Sequence, residues 1–250
     1  MDRDPSNLPN LAGGKPAASG DFLLSRRRRL CLPYLGEERG SLLDFGCGNG
    51  AQTLHFADLF QRVEGLDVQP EFLATFQKEI VHRDLAGRVF PIPYDGARFP
   101  QHTGTFDCAT TFTVLEHVPD DRLALAEIHR VLKPGGVIIV SVPNKWWLFE
   151  THGADLPLLP WNRVPLVSWW PKRLHDRYAR ARIYRLREIV ALVKEAGFTV
   201  EDTFRLTAPM DVARPPALRD WLRRTIFKGD RTGVPFLATE NFVIARKPRS

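Results

Sequence analysis

Leu42-Leu43-Asp44-Phe45-Gly46-Cys47-Gly48-Asn49-Gly50 is the stretch that decides the fold. Ser41–Phe45 reads as a buried strand, and the glycines after it open a helix expected to run to about Phe60. A glycine loop between strand and helix lets a ligand approach the backbone closely. A dinucleotide fingerprint spaces its glycines GxGxxG, whereas Gly46, Gly48 and Gly50 form GxGxG. Asp44 stands just ahead of the loop, where it would repel a pyrophosphate and suit a cationic ligand end such as an ammonium. Asp67, 23 residues further on, ends a second strand at Arg62–Val68. A carboxylate at that point accepts hydrogen bonds from ribose hydroxyls in nucleotide-binding sheets.

Outward from this loop, short apolar strands alternate with helices. A helix starts near Pro70, and further strands are expected at Arg88–Pro93, Phe106–Phe112 and Val137–Val142. A helix over Asp120–Leu132 is closed by a turn, Lys133-Pro134-Gly135-Gly136. Leu186, Ile189, Val190 and Val193 have helical spacing before a stop at Gly197, and strands follow at Thr199–Leu206 and Asn241–Arg246. This alternation predicts an α/β fold with a mostly parallel sheet of about seven strands and helices on both faces. Residues 21–35 read as a helix whose run Arg26–Arg29 forms a solvated face. Residues 1–20, rich in Pro, Gly, Ser and Asn, read as a mobile tail.

Four stretches resemble the class I S-adenosylmethionine-dependent methyltransferases of the type 11 kind, with their Rossmann-like fold. They are LLDFGCGNG at 42–50, GLDVQPEFL at 65–73, FDCATTFTVLEHVPD at 106–120 and LAEIHRVLKPGGVIIVSVPN at 125–144. Asp95–Pro100 looks like the acidic segment that follows strand three in that family. The resemblance implies S-adenosylmethionine as cofactor. Asp44, Gly46, Cys47 and Gly48 would line its methionine end, Asp67 and Val68 its ribose, and Asp95 and Gly96 its adenine. Backbone near Phe112 would face the sulfonium. Cys47 reads as a small loop filler rather than a nucleophile, and Asp95 is alternatively a plain turn residue. His117, in the Leu-Glu-His-Val setting, is a candidate general base, although a structural role is the stronger reading. Thr110-Thr111-Phe112-Thr113 departs from the Asn/Asp-Pro-Pro-aromatic motif of enzymes that methylate base amines.

The chain of 250 residues carries 35 Lys/Arg against 29 Asp/Glu. Residues 145–187 hold nine basic and three acidic residues, so the whole net charge of +6 resides there, with five of the six Trp. The interval 145–185 follows strand five, where this family often builds its acceptor site, and reads as a substrate-side insertion or lid on a domain spanning 21–250. Trp-rich basic sequence suits a membrane interface or single-stranded nucleic acid, or a lid with its own small core. The lid and the apolar acceptor are favoured over nucleic acid. Pro171-Lys172-Arg173-Leu174-His175-Asp176, with Ala196-Gly197-Phe198, is loosely similar to ubiquinone-biosynthesis O-methyltransferases. That points to a hydroxyl on a small or lipid-like acceptor, with His175 and His152 as alternative bases. An RNA methyltransferase and a non-catalytic cofactor-binding scaffold stand as alternatives. Three cysteines without CxxC spacing, no secretory leader and no apolar run of membrane-spanning length suggest a soluble cytoplasmic protein, or one peripheral to a membrane. No cluster calls for a metal.

Overall fold

Five parallel strands form the centre of the sheet: β1 (Ser41–Phe45), β2 (Arg62–Asp67), β3 (Val89–Pro93), β4 (Phe106–Phe112) and β5 (Leu132–Pro143). A two-stranded ribbon, β6 (Ala154–Leu156) with β7 (Leu159–Trp161), lies outside it. Then β9 (Ala238–Arg246) pairs antiparallel with β5, and β8 (Thr199–Thr207) pairs antiparallel with β9 at the edge, giving the order β3-β2-β1-β4-β5-β9-β8. The computed structural model describes residues 21–36, 39–149, 154–156, 159–161, 166–211 and 213–249. The tail expected at 1–20 and His152 lie outside them.

The helices are α1 (Asp21–Cys31), α2 (Ala51–Leu54), α3 (Pro70–His82), α4 (Asp121–Val131), α5 (Lys172–Tyr178), α6 (Leu186–Glu195) and α7 (Pro216–Thr225). Strand alternation explains why most of them flank the sheet. In β5 and β9, Val137, Ile139, Phe242 and Ile244 point to one face, where Leu23 and Leu30 of α1 and Phe76 and Ile80 of α3 pack. Ile138, Val140, Val243 and Ala245 point to the other, with Leu125 and Ile128 of α4 and Ile189 and Val193 of α6. The starts of α4 and α6 are locally specified. The Asp120 carboxylate accepts from the N–H groups of Arg122 and Leu123 at 2.9 and 3.0 Å. Glu188 accepts from the Arg185 N–H at 2.9 Å.

Three expectations are corrected. The helix after the glycine loop ends at Leu54, and a 3-10 turn covers Ala57–Leu59. Tight bonds from His55 N–H to Gln52 and from Phe56 N–H to Thr53 turn the chain so that Phe56, Ala57 and Phe60 all reach the core. Lys133–Gly136 is not a separate turn but an irregularity inside β5: Phe106 pairs with Leu132, and Cys108 already pairs with Val137. Gly135 takes φ +80 there, and its N–H bonds to the Lys247 carbonyl at 2.9 Å.

The arginine run is not a solvated face. Arg26 and Arg27 are each 3% exposed. Arg26 meets Asp230 at 2.9 Å, Arg27 meets Glu240 at 2.7 Å, and Arg29 meets Asp230 at 2.6 Å; Arg28 pairs with Asp58. Two of these acids lie some 200 positions along the chain, and a buried guanidinium requires such partners.

Candidate cofactor site

β1 and β4 are neighbours whose connections run to opposite sides of the sheet, so their carboxyl ends form the switch-point crevice of a doubly wound fold. Asp44 lies at the end of β1 and is buried. Its oxygens accept from Thr53 Oγ1 at 2.5 Å and Thr110 Oγ1 at 2.8 Å. Burial pushes its pKa up to about 6, against the two hydroxyls and the charge of Arg27, with Asp67 adding to the rise. A carboxyl held this way gains from a cation placed against it.

The loop that follows has no room for a side chain at Gly46 or Gly50. Gly46 takes φ +75, and a Cβ there would meet Val114 Cγ2 at 2.3 Å; at Gly50, φ +78, it would meet Phe76 Cδ2 at 2.0 Å. The N–H groups of Gly46 and Cys47 bond to the Leu66 carbonyl, tying the loop to β2. Gly65, not picked out in the sequence, permits this approach: a Cβ there would lie 2.9 Å from Cys47 Cβ. The Cys47 thiol is pushed well up by burial, then by Asp44 and Asp67, which fits a filler rather than a nucleophile.

Asp67 crosses to the same loop. Its Oδ2 accepts from the Gly48 N–H at 2.8 Å and its Oδ1 from the Gln69 N–H at 2.9 Å. Each carboxylate oxygen has a further lone pair, so the fixed group can still accept from a diol. Val68 is 49% exposed, and a Cβ built on Gly96 would lie 3.8 Å from Val68 Cγ1, so these two residues share one wall. Asp95 caps its own turn by accepting from the Ala97 N–H at 2.9 Å, as the turn reading expects. A cavity of 60 Å³, lined in part by Phe45, Tyr94, Gly96 and Val118, continues from there. A roomier hollow of 360 Å³, between Arg98 and Arg130, is lined by the end of the Asp95–Pro100 stretch but by none of the candidate cofactor residues.

Phe112 ends β4 and packs between Phe56 and Phe242, with the Arg27 guanidinium 5.3 Å over its ring. Thr113 next to it takes φ +56, rare for a β-branched residue, as the chain turns into the segment bearing His117. Arg182 holds that segment. Its backbone N–H bonds to the Glu116 carbonyl, and its guanidinium bonds to the carbonyls of Leu115, Val118 and Pro119. Tyr184 Oη adds a bond to the Leu115 carbonyl at 3.1 Å. Neither residue was singled out as part of the site, because these contacts span more than 60 positions.

His117 is half-buried in this segment. His175 sits in α5 within the insertion, fully buried, its Nδ1 3.2 Å from Asp176 Oδ1. Burial raises the Asp176 carboxyl, but bonds from His175 and Lys172 outweigh it and hold the group low. Asp44, Gly46, Cys47, Gly48, Asp67 and Phe112 therefore gather at one end of the sheet, with Val68, Asp95 and Gly96 beside them. Among the described residues no group of three or more His, Cys, Asp or Glu is placed to hold a metal.

A family model for a methyltransferase domain matches residues 43–140. The ubiquinone biosynthesis O-methyltransferase of Pseudomonas aeruginosa is 30% identical over 169 residues, 66% of this chain and 67% of that protein. This chain belongs to the S-adenosylmethionine-dependent methyltransferases. The "probable S-adenosylmethionine-dependent methyltransferase" of Mycolicibacterium smegmatis is 32% identical over 163 residues, and the methyltransferase spans about half (53%) of that relative's length. Among solved structures, an S-adenosylmethionine-dependent methyltransferase from Aquifex aeolicus superposes with a TM-score of 0.59 at 14% identity, over 98% of this chain and 99% of that one. The 4+2 cyclase SpnF superposes with a TM-score of 0.64 at 20% identity, over 96% and 87%. Both likenesses are of fold. The donor set suits the cofactor: a buried carboxyl that favours a cation, a second carboxylate with spare lone pairs, and no room at Gly46 or Gly50 for any side chain.

Proposed function

We propose that the methyltransferase transfers the methyl group to an oxygen of a small or lipid-like apolar acceptor, seated between the glycine-loop end of the sheet and the insertion at 145–185. The observation that carries this reading is the tie between the two: Arg182 and Tyr184, at the end of the insertion, hold the segment that bears His117. Similarity to ubiquinone biosynthesis O-methyltransferases supports an apolar hydroxyl acceptor.

S-adenosylmethionine supplies, when bound, an electrophilic methyl group on a cationic sulfur. Asp44 holds the ammonium end and Asp67 the ribose hydroxyls. Val68, Asp95 and Gly96 border the adenine, and Gly46, Cys47 and Gly48 give the backbone surface. The chain at Phe112 faces the reacting centre. The residues' task is to align the acceptor oxygen and keep water out. Proton removal from that oxygen falls to His117, in the segment that follows β4, with His175 as the second candidate. The insertion contributes aromatic walls: Trp146 and Trp169 both pack on Phe236, and Trp147 packs on Phe149.

The test is transfer of labelled methyl into fractionated extracts. Label in the small-molecule or lipid fraction supports the proposal. Label in RNA, with binding that weakens steeply in salt, favours the rival that uses the basic insertion. No label in any fraction favours a scaffold that binds cofactor without transfer.

A further inference from the structure

α7 is an amphipathic helix mounted the wrong way round. Leu218, Trp221, Leu222 and Thr225 share one side at i, i+3, i+4 and i+7, and an ordinary surface helix turns such a side to the core. Here none of the helix is buried. Leu218 is 44% exposed and Trp221, the one Trp outside the insertion, is 54% exposed. The opposite side faces the protein: the Arg223 side chain is only 21% exposed, lies 3.9 Å over the Phe22 ring, and bonds to the Pro209 carbonyl and to Asp211.

This apolar side does not stand alone. Ile226 follows it, 47% exposed. Phe227 then packs on Trp147 of the insertion with ring centroids 6.2 Å apart, and the exposed Phe236 and Trp169, elsewhere on the same connection and the insertion, pack on each other at 5.6 Å. The connection bearing α7 leaves the sheet at Thr207 and returns at Ala238, which pair with each other. Glu240, two residues on, pairs with Pro143 at the carboxyl end of β5, so α7 springs from the sheet edge that holds the glycine loop. The charge around it is one-sided. Residues 214–228 contain five Lys/Arg and one Asp. Of these, Arg214, Arg224 and Lys228 are exposed and make no ion pair among the described residues.

We propose that α7 lies flat on an anionic lipid bilayer, with Leu218, Trp221 and Ile226 entering the headgroup boundary and Arg214, Arg224 and Lys228 meeting lipid phosphates. Exposed aromatic and aliphatic side chains beside unpaired cations are what such an interface requires. The sequence places membrane contact at 145–187; α7 extends that surface to an element outside it, whatever the methyl acceptor is.

The test is sedimentation of the full chain with vesicles of phosphatidylcholine alone, and with about one third phosphatidylglycerol. Binding to the anionic vesicles, weakened at about 0.5 M salt, is expected. The double variant Leu218→Ser, Trp221→Ser should lose about tenfold or more of it while its urea midpoint stays unchanged. Four results overturn the proposal. One is no binding to either vesicle, and another is undiminished binding by the double variant. The third is a dimer in light scattering that the double variant dissociates, which assigns the face to a second copy. A large fall in the variant's urea midpoint also overturns it, since the face would then be covered by the chain itself.

Discussion

The glycine-loop end of the sheet and the aromatic end around the insertion and α7 are built on opposite terms. At the glycine-loop end, polar groups are buried and mutually satisfied: Asp44 by two threonines, Asp67 by two backbone N–H groups. At the aromatic end, large apolar side chains stay in water, Trp169, Trp221 and Phe236 among them. The first end is pre-shaped for a ligand of fixed chemistry, so substitution there should alter stability or cofactor affinity. The second end is shaped for something that arrives, and substitution there should alter what the chain associates with.

Gly50→Ala should break the first end outright. Its φ of +78 and a 2.0 Å approach to Phe76 predict a loss of about 3 kcal/mol or more in urea unfolding. Gly87→Ala, at φ +86 with nothing within 4 Å, is the control and should cost about 1 kcal/mol. Near-equal losses would show that the loop is not confined by its neighbours.

Asp44→Asn sharpens the comparison through its sign. The folded carboxyl titrates at about 6 against an ordinary 3.8. The folded chain therefore keeps the extra proton across that window, and the stability from this group falls as pH rises through it. At about pH 7.5 the amide should make the unliganded protein about 3 kcal/mol more stable while weakening cofactor binding. In the unsubstituted protein cofactor affinity should fall roughly tenfold per pH unit below about 6, and the amide should flatten that slope. Titration calorimetry across pH reads both.

Arg182→Ala tests the seam between the two ends. It frees the carbonyls of Leu115, Val118 and Pro119, so kcat should drop by about tenfold with cofactor affinity nearly unchanged. Equal falls in both would place the segment on the cofactor side alone. Arg122→Ala, which breaks an exposed pair with Glu195, should shift stability by under about 0.5 kcal/mol in the same urea assay.

The difference between the two ends also governs what could be read from sequence. The strand–loop–strand from Ser41 to Asp67 is local: positive-φ glycines and the two carboxyls each carry their own signal within 27 residues. What escaped is long-range. Arg26 and Arg27 look like a solvated run because Asp230 and Glu240 lie some 200 positions away. Lys133–Gly136 has the composition of a turn, and its place inside β5 depends on the pairing of Asp107's neighbours. Gly65 gives no signal until the loop and α3 close around it. At the aromatic end, periodicity alone could not say which side of α7 faces the body, because that choice is made by Phe22, Pro209 and Asp211 holding Arg223.

The central claim is that the carboxyl ends of β1 and β2 hold S-adenosylmethionine, with Asp67 bound to its ribose. Calorimetric titration of the whole chain with S-adenosylmethionine tests it most directly. Saturable binding by the unsubstituted protein, weakened by about a hundredfold in Asp67→Ala with the fold intact, is the predicted result, since two hydrogen bonds to a charged group are lost. No binding by the unsubstituted protein, or undiminished binding by Asp67→Ala, would contradict it.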